Sequence, residues 1–142
     1  MNKKFLLITG GTGGHVIPAV NFANYLNSKK ITSRIIVDQR GLKYIKNIES
    51  KIYIISSSNL YGNYLLKFYG IIKLLIGFIQ SFIYIFLYRP NKIISFGSYA
   101  SFFPMLSIII LKFFFKIDIY IHEQNSVLGR TNKFYLRYSE KI

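Results

Sequence analysis

A histidine follows a cluster of glycines near the start of the chain, in the stretch "LLITGGTGGHVIPA". Four of the ten glycines in the sequence come just before His15, namely Gly10, Gly11, Gly13 and Gly14. Glycines let backbone N–H groups approach an anion, and an imidazole, which ordinarily titrates near neutral pH, can accept a proton there. The stretch therefore predicts a phosphate-type ligand beside a candidate general base. Two plainer alternatives stay open: glycines that only form a tight turn, and a histidine that only orders the loop.

Two further segments carry polar residues of the same kind. The stretch "FGSYAS" supplies Gly97, Ser98, Tyr99 and Ser101, and the stretch "HEQNSVLGRTN" supplies His122, Glu123 and Asn125. Hydroxyl and amide groups suit the oxygens of phosphates and sugars. For Glu123 we weigh a base, or a partner of the base, against a loop anchor that accepts backbone N–H bonds, and we favour the anchor. His122 is predicted to be structural. The sequence contains no carboxylate cluster of the kind that binds a metal, so no metal ion or other cofactor is expected.

Each of these segments follows a short apolar run, which is typical of a buried parallel strand. Strands are predicted at residues 5–9, 33–38, 51–57, 92–97 and 117–123. Helical patterns alternate with them, from Val16, from Gly41 to about 48, at 64–88, at about 101–115 and from Gly129. This alternation predicts an α/β fold with a doubly wound, Rossmann-like parallel sheet. The loops that follow the strands then meet at one edge of the sheet and form a cleft.

The predicted helix at 64–88 is long and apolar. Its small and polar residues recur every three or four positions and so share one face: Lys67, Gly70, Lys73, Gly77, Gln80, Ser81, Tyr84 and Tyr88. Its uncharged stretch at 74–88 is shorter than the roughly 20 residues that a membrane span requires. We therefore expect no crossing, and weigh a buried helix against a membrane-docking surface with Lys67 and Lys73 near anionic lipid. The aromatic run at 113–115 is a second candidate membrane contact.

The composition indicates an anionic partner. The chain has 142 residues, the size of one domain, with a formal net charge of +14 and a pI near 10.0. The lysines are scattered, and the sequence shows no RNP or zinc-finger motif, so anionic lipid or phosphate is favoured over nucleic acid. The sequence has no cysteine, which excludes disulfides and thiolate metal sites and favours a reducing compartment.

Neither of two common phosphate loops fits the glycine segment. A Walker loop requires a lysine at the position of His15, and the dinucleotide fingerprint requires a small residue at the position of Val16. Asp38, at the end of the second predicted strand, is the acidic residue placed to bind a ribose. A nucleotide-binding module without catalytic activity therefore remains an alternative.

Taken together, the motifs "GGTGGHVIPA", "FGSYASF" and "HEQNSVLGRTN" resemble, in order and spacing, the MurG family of bacterial peptidoglycan glycosyltransferases. The resemblance covers the whole chain but only the family's N-terminal, acceptor-binding half. It implies a GT-B fold and an inverting transfer of N-acetylglucosamine from UDP-N-acetylglucosamine (UDP-GlcNAc) to a lipid-linked muramyl pentapeptide, lipid I. The product, lipid II, serves cell-wall growth and division. The resemblance also implies a peripheral protein on anionic lipid at the cytoplasmic face of the plasma membrane.

The resemblance implies roles for individual residues. Contacts with UDP-GlcNAc are implied for Thr12, Gly13, Gly14 and Asn125. The acceptor pyrophosphate is implied to lie on Gly10, Gly11, Gly97, Ser98, Tyr99 and Ser101. His15 is the candidate base, with Glu123 as a weaker one. The family's C-terminal, donor-binding half is absent from residues 1–142, and the final "KI" predicts the start of another strand. We therefore expect a fragment that is inactive alone.

The middle motif departs from the family pattern in two places. Ser98 stands where the family usually has a second glycine, which keeps a hydrogen-bond donor but loses backbone freedom. Phe102 and Phe103 precede Pro104, where fewer bulky residues are usual. The pose of a ligand at this loop is therefore open. Another GT-B enzyme that acts on a different polyprenyl-linked sugar remains an alternative.

Overall fold

The computed structural model describes residues 3–140 and contains one sheet of five strands that pair in parallel. The strands are β1 (Phe5–Ile8), β2 (Ser33–Asp38), β3 (Lys51–Ile55), β4 (Lys92–Ser95) and β5 (Asp118–Ile121). Their order, β3-β2-β1-β4-β5, confirms the predicted doubly wound sheet. The winding reverses between β1 and β4, where ligands of such sheets usually bind. The strand predicted to begin at residues 141–142 lies outside the described residues.

The helices lie between and after the strands. They are α1 (Gly13–Ser28), α2 (Gln39–Leu42), α3 (Tyr64–Tyr88), α4 (Phe102–Leu111) and α5 (Arg130–Tyr135), with 3₁₀ turns at Tyr99–Ser101 and Leu136–Tyr138. The bounds of α3 are as predicted, because Asn63 Oδ1 accepts the N–H of Leu66 at its start and Arg89 turns left-handed (φ 50°) at its end. The helix predicted from Gly41 to about 48 is wrong in its length, since α2 ends at Leu42.

Both faces of the sheet are buried, as expected for parallel strands that helices cover on either side. On one face Leu7 and Ile35 pack in a cluster with α1. On the other face Ile8 and Ile36 pack in a cluster with α3, α4 and α5. All four side chains are fully buried, so the sheet forms a rigid base for the loops at its carboxyl edge.

The buried face of α3 combines the small residues Gly70, Gly77 and Ser81 with three larger ones, Leu74, Ile85 and Tyr88. A Cβ on Gly77 would lie 2.0 Å from the carbonyl oxygen of Ser56, the residue after β3, so only glycine permits this approach. Next to it, the N–H of Ser56 donates to Gln80 Oε1 at 2.8 Å. Buried Ser81 donates its hydroxyl to the Gly77 carbonyl at 2.7 Å. From Gly70 onward the small and polar stripe is therefore the face that packs on the domain, with Lys73 half-buried beside it and Lys67 exposed in the first turn.

The outer face of α3 is apolar and exposed. Leu65, Phe68 and Leu87 are 79%, 65% and 73% exposed, and Ile79 and Leu75 are more than half exposed. The alternative of a fully buried helix is therefore wrong. By length and composition alone, with a mean hydropathy of 2.0, α3 is sufficient to cross a membrane, and 28% of its most apolar window is buried. The close packing of its inner face favours a docking surface over a span.

Candidate functional site

The first glycine loop joins β1 to α1 and passes between two neighbouring loops. Gly11 has a left-handed backbone (φ 75°), which favours glycine. A Cβ on Gly10 would lie 2.7 Å from both Asp38 Oδ1 and Ala100 Cβ, so only glycine fits there. These two glycines therefore have a structural reason, as the tight-turn alternative requires. Gly14 has no such structural reason, because the nearest neighbour of a Cβ there would be Gln124 Nε2 at 3.4 Å, an ordinary contact distance.

Asp38 shapes this loop from the end of β2. Its Oδ1 accepts the N–H of Gly11 at 2.8 Å and the N–H of Gly41 at 3.0 Å, and its Oδ2 accepts Arg40 Nε–H at 2.8 Å. The side chain is 1% exposed. A ribose could not reach this carboxylate without breaking those bonds. The geometry thus disfavours the dinucleotide-binding alternative, which depended on Asp38.

The amides at the start of α1 are free to bind an anion. Thr12 caps the helix with extended backbone angles (φ −117°, ψ 161°), and Gly13 and Gly14 are its first residues. The N–H groups of a first helical turn have no acceptor within the helix, and the helix dipole favours negative charge beside them. The residues predicted to contact UDP-GlcNAc in this loop therefore present donors and no bulky side chain.

His15 lies at the base of the cleft with a defined orientation. Its Nδ1 lies 2.8 Å from the carbonyl oxygen of Phe96, the residue that follows β4. Since a carbonyl only accepts, Nδ1 carries the proton, and Nε2 of the neutral ring keeps its lone pair. Gln124 Nε2 lies 3.2 Å from the same Nδ1, but two donors face each other there, so the Phe96 carbonyl is the acceptor of the Nδ1 proton. The bond to Phe96 leaves Nε2 as the ring nitrogen with an acceptor lone pair.

The second loop follows β4 and has two unusual backbones. Gly97 (φ 80°) packs against the buried amide of Asn132, because a Cβ on it would lie 3.0 Å from Nδ2. Ser98 also has a positive φ (83°), although it is not glycine, and its Oγ accepts the N–H of Ala100. Ser101 is fully buried and donates its hydroxyl to the Gly97 carbonyl. For Ser101 this geometry favours a loop-positioning role over the direct anion contact predicted from the sequence.

Glu123 holds the third loop together. Its Oε1 accepts the N–H groups of Gln124 and Asn125 and the side-chain amide of Asn125, at 2.9–3.1 Å. Its Oε2 accepts the N–H of Gly129 at 2.9 Å and Asn132 Nδ2 at 3.0 Å. Burial raises the pKa of Glu123, but the bonds from Gly129, Asn132 and Asn125 outweigh it and lower the pKa to about 2. Such a carboxylate is a poor base, and the geometry favours the loop-anchor interpretation.

Residues of all three motifs line one cleft of about 290 Å³ at the carboxyl edge of the sheet. The first motif contributes His15, whereas its other predicted site residues lie outside the lining, namely Gly10, Gly11, Thr12, Gly13 and Gly14. The residues that line it are His15, Gly97, Ser98, Tyr99, Glu123, Asn125, Gly129, Arg130, Thr131 and Asn132. Sequence reasoning missed Arg130 and Thr131, although the third motif contains both; they open α5, and an arginine among anion-binding loops was the available signal. Arg130 brings positive charge to a cleft whose one carboxylate is occupied by loop amides.

Other predicted residues lie outside the cleft lining. The ring of His122 packs against the Phe96 ring at 4.9 Å with a tilt of 34°, and the backbone N–H of His122 donates to the Ser95 carbonyl, which supports a structural role. Lys67 and Lys73 lie on α3, where the Lys73 ammonium sits 4.7 Å from the Tyr69 ring centre. Within residues 3–140, no group of three or more histidine or acidic side chains is arranged to hold a metal ion.

Comparison with known proteins gives a family and several relatives. Residues 5–142 match the N-terminal domain of glycosyltransferase family 28. Two curated relatives, from Rickettsia typhi and Rickettsia canadensis, are 39% and 34% identical over 140 residues. Each is named UDP-N-acetylglucosamine–N-acetylmuramyl-(pentapeptide) pyrophosphoryl-undecaprenol N-acetylglucosamine transferase. The alignments cover 99% of this chain but 34% and 38% of the relatives, so the chain spans about a third of their length.

Solved structures agree with this match. MurG of Acinetobacter baumannii superposes with a TM-score of 0.79 at 26% identity, over 97% of this chain and 40% of that one. A Streptomyces glycosyltransferase superposes with a TM-score of 0.67 over 93% of this chain and 42% of that one. At 12% identity, the second likeness concerns the fold alone.

Proposed function

This chain belongs to glycosyltransferase family 28, and from that membership we propose that it forms the acceptor-binding domain of an enzyme that makes lipid II. The enzyme transfers N-acetylglucosamine from UDP-GlcNAc to lipid I with inversion at the anomeric carbon. The names of the two Rickettsia relatives support the choice of substrates. The meeting of all three motif loops in one cleft supports the choice of site.

In this proposal residues 1–142 form one domain, and a second, donor-binding domain completes the enzyme. The second domain would face the cleft and bring UDP-GlcNAc over it. Thr12, Gly13 and Gly14 would then present backbone and hydroxyl donors to the nucleotide sugar, and the Asn125 side chain would contact its sugar. Since one domain holds half of that arrangement, we expect no transfer by residues 1–142 alone.

The diphosphate of lipid I is proposed to bind between the first two loops. Gly97, Ser98 and Tyr99 line the cleft there, whereas Gly10 is buried and Gly11 donates its N–H to Asp38, so these two glycines shape the turn. The start of α1 and the Arg130 guanidinium supply positive potential. Fixed backbone dipoles stabilise an anion without the reorganisation that water would need. No metal ion is required in this arrangement.

The chemical step requires a base on the acceptor. The muramyl 4-hydroxyl oxygen attacks the anomeric carbon from the face opposite UDP, a new C–O bond forms, and the bond to the UDP oxygen breaks. We assign the hydroxyl proton to Nε2 of His15, because Nδ1 is bonded to the Phe96 carbonyl and leaves Nε2 as the acceptor. Glu123, with a pKa of about 2, is assigned to hold Asn125 and Gly129 in place.

The lipid acceptor implies a membrane-docked enzyme. We propose that the outer face of α3 and the aromatic run at 113–115 contact the cytoplasmic leaflet, with Lys67 and Lys73 near anionic headgroups. Phe113 and Phe114 are 86% and 75% exposed, which water does not favour for apolar rings. Each lysine would add about 1 kcal/mol on an anionic surface. The protein is thus peripheral, and UDP-GlcNAc reaches the cleft from the cytoplasm.

The observation that carries the proposal is the position of His15, oriented by Phe96 at the centre of the three motif loops. The test is transfer of labelled N-acetylglucosamine by the complete protein that contains this chain, with lipid I and with other polyprenyl-diphosphate sugars as acceptors. Transfer to lipid I alone supports the proposal. Transfer only to another acceptor would move the chain to the alternative GT-B activity. Binding of NADH without any transfer would favour the nucleotide-binding module.

A further inference from the structure

An apolar groove of about 220 Å³ lies beside the cleft, between α3 and the start of α4. Its floor is Leu74, which is 5% exposed, and its rim includes Leu60 and Leu75, which are 39% and 53% exposed. Phe102 and Phe103, the two phenylalanines that depart from the family pattern, form one wall. Within the part of the chain that the structure describes, no charged side chain lines this groove.

The groove and the cleft share a wall. Tyr99 lines both of them and is 43% exposed, so the polar loops and the apolar groove are adjacent on one surface. A ligand that fills both must be charged at one end and apolar at the other. We propose that the groove binds the first isoprene units of the polyprenyl chain of the acceptor, while the diphosphate lies in the cleft. This inference rests on the proposed function and adds to it a subsite for the lipid.

The wall of the groove is held rigidly enough to recognise a chain. The Phe102 ring packs at 5.3–5.4 Å from the rings of Phe103, Phe134 and Tyr135. Phe103 also meets Phe78 of α3 edge-on at 6.3 Å. Aromatic contacts of this kind fix side chains in defined positions. The groove is therefore a preformed surface, and a branched hydrocarbon can occupy it without first ordering its walls.

The position of the groove also gives the lipid a path to the bilayer. Leu74 and Leu75 belong to α3, the helix whose outer face carries the exposed apolar residues. A chain that leaves the cleft past Tyr99 meets the groove first and the outer face of α3 afterwards. Its apolar surface then stays out of water along the whole route. The headgroup can reach the catalytic edge while the remainder of the chain stays in the membrane.

The test compares two acceptor analogues that share the diphosphoryl muramyl pentapeptide and differ in the chain, one farnesyl and one methyl. In the complete protein, the farnesyl analogue is expected to have a KM about tenfold lower than the methyl analogue. Phe103→Ala and Leu75→Ser are expected to raise the KM of the farnesyl analogue toward that of the methyl one. Ile79→Ser, also on α3 but outside the groove lining, is the matched control.

The outcomes separate this inference from the proposed function. If the wild type uses both analogues equally well, or if the control variant changes the farnesyl KM as much as the groove variants, the groove is not the subsite. The proposed function would survive that result. If neither analogue accepts N-acetylglucosamine, the proposed function fails and the inference with it.

A second measurement does not depend on the folding of a variant. A farnesyl diphosphate carrying a diazirine on its last isoprene unit is irradiated with the wild-type protein, and the labelled peptides are mapped by mass spectrometry. Labels at Leu60, Leu74–Leu75 or Phe102–Phe103 support the inference. Labels confined to residues 113–115 would overturn it. So would a groove that stays unlabelled because a second copy of the chain covers it, as shown by a cross-linked dimer.

Discussion

The cleft edge and the outer face of α3 are exposed for opposite reasons. At the cleft, the exposed groups are polar, and hydrogen bonds such as those of Asp38 and Glu123 hold them in one geometry. On α3, the exposed groups are large apolar side chains. The closely packed part of the helix is its opposite face, where Gly77 contacts the Ser56 carbonyl. The first region suits directed contacts with a polar ligand. The second offers area, which suits adsorption to a surface.

Because the two regions differ in this way, they should also differ in the substitutions that they tolerate. A directed site fails when one donor or acceptor is lost, because its remaining groups are left in the wrong place. An adsorbing face loses affinity gradually, since each side chain contributes in proportion to its area or charge. Single substitutions at the cleft should therefore have large effects on turnover. Those on the outer face should have small, additive effects on membrane binding.

The largest effect is expected for His15→Ala. Removal of the base should lower kcat in the complete protein by about 10²- to 10⁴-fold, the usual worth of a positioned acid or base. UDP-GlcNAc binding, measured by calorimetry, should change little. His122→Ala is the matched control, since His122 is an exposed histidine that does not line the cleft. Undiminished turnover in His15→Ala would remove His15 from the mechanism and leave only its loop-ordering role.

The second largest effect tests the underside of α3. Gly77→Ala places a methyl group 2.0 Å from the Ser56 carbonyl oxygen, and the backbone must move, at a cost of about 3 kcal/mol. Gly70→Ala is the control on the same face, because its neighbours at 3.0–3.2 Å are the Leu60 and Ser58 side chains, which can adjust. The gain in helix propensity there offsets the contact. Urea unfolding of both variants measures the difference, and equal losses would contradict the close packing of α3.

The sequence was sufficient for most of the fold, because the period of the apolar residues determines which segments form strands and helices. The bounds of β2 and α3 are as predicted. The bounds of the helix after β2 were not: Asp38 caps its start by accepting the Gly41 N–H, so it begins at Gln39, and it ends at Leu42. Periodicity also identified the small-residue stripe of α3 but not which face is inside. That depends on one backbone contact between Gly77 and Ser56, which no local pattern contains.

The sequence predicted which loops form the candidate site better than it predicted the roles of individual residues in those loops. The three loops meet as the order of motifs and strands suggested. Asp38 was interpreted as a ribose ligand because its position in the chain is right for one. Its bond to Gly11 joins residues 27 positions apart and exists only in the folded chain. Arg130 was missed although an arginine among anion-binding loops was a signal in the sequence, and the structure places it at the start of α5 beside the cleft.

A third prediction concerns Glu123 and acid. Its pKa in the folded protein, about 2, lies below the ordinary 4.5, so the ionised carboxylate stabilises the fold above pH 4.5 and this stabilisation is lost as the pH falls toward 2. Glu123→Gln should cost about 2 kcal/mol at neutral pH, through the loss of charge-assisted hydrogen bonds. The gap between wild type and variant should close between pH 4.5 and 2.

Urea unfolding at a series of pH values measures that gap. Glu49→Gln is the control, because Glu49 is exposed and such surface changes stay within about 0.5 kcal/mol. A gap for Glu123→Gln that stays constant down to pH 2 would mean that the carboxylate is not ionised within its ring of donors. The view that hydrogen bonds from Glu123 fix the geometry of the cleft would then be wrong.

The fourth prediction returns to the helix. Lys67→Gln with Lys73→Gln should weaken flotation with anionic liposomes by about 1 kcal/mol per lysine, and salt should weaken wild-type binding in the same way. Lys29→Gln with Lys30→Gln removes the same charge at the end of α1, on the opposite side of the sheet, and should change flotation less. If both pairs behave alike, net charge alone drives binding and the outer face of α3 has no special part. A wild-type protein that stays in solution would remove the docking surface altogether.

The smallest effect belongs to Ser98, where the demands of the cleft and of the fold conflict. Its backbone (φ 83°, ψ 160°) lies in a region that is essentially reserved for glycine, so Ser98→Gly should stabilise the fold by about 1 kcal/mol. Ser98→Ala keeps the strained backbone and loses the bond from the Ala100 N–H, and should destabilise. Thermal unfolding distinguishes the two, and shifts of the same sign would refute the strain. If the hydroxyl contacts the acceptor diphosphate, the more stable glycine variant should also show a higher acceptor KM, because a serine that costs stability there is retained for binding.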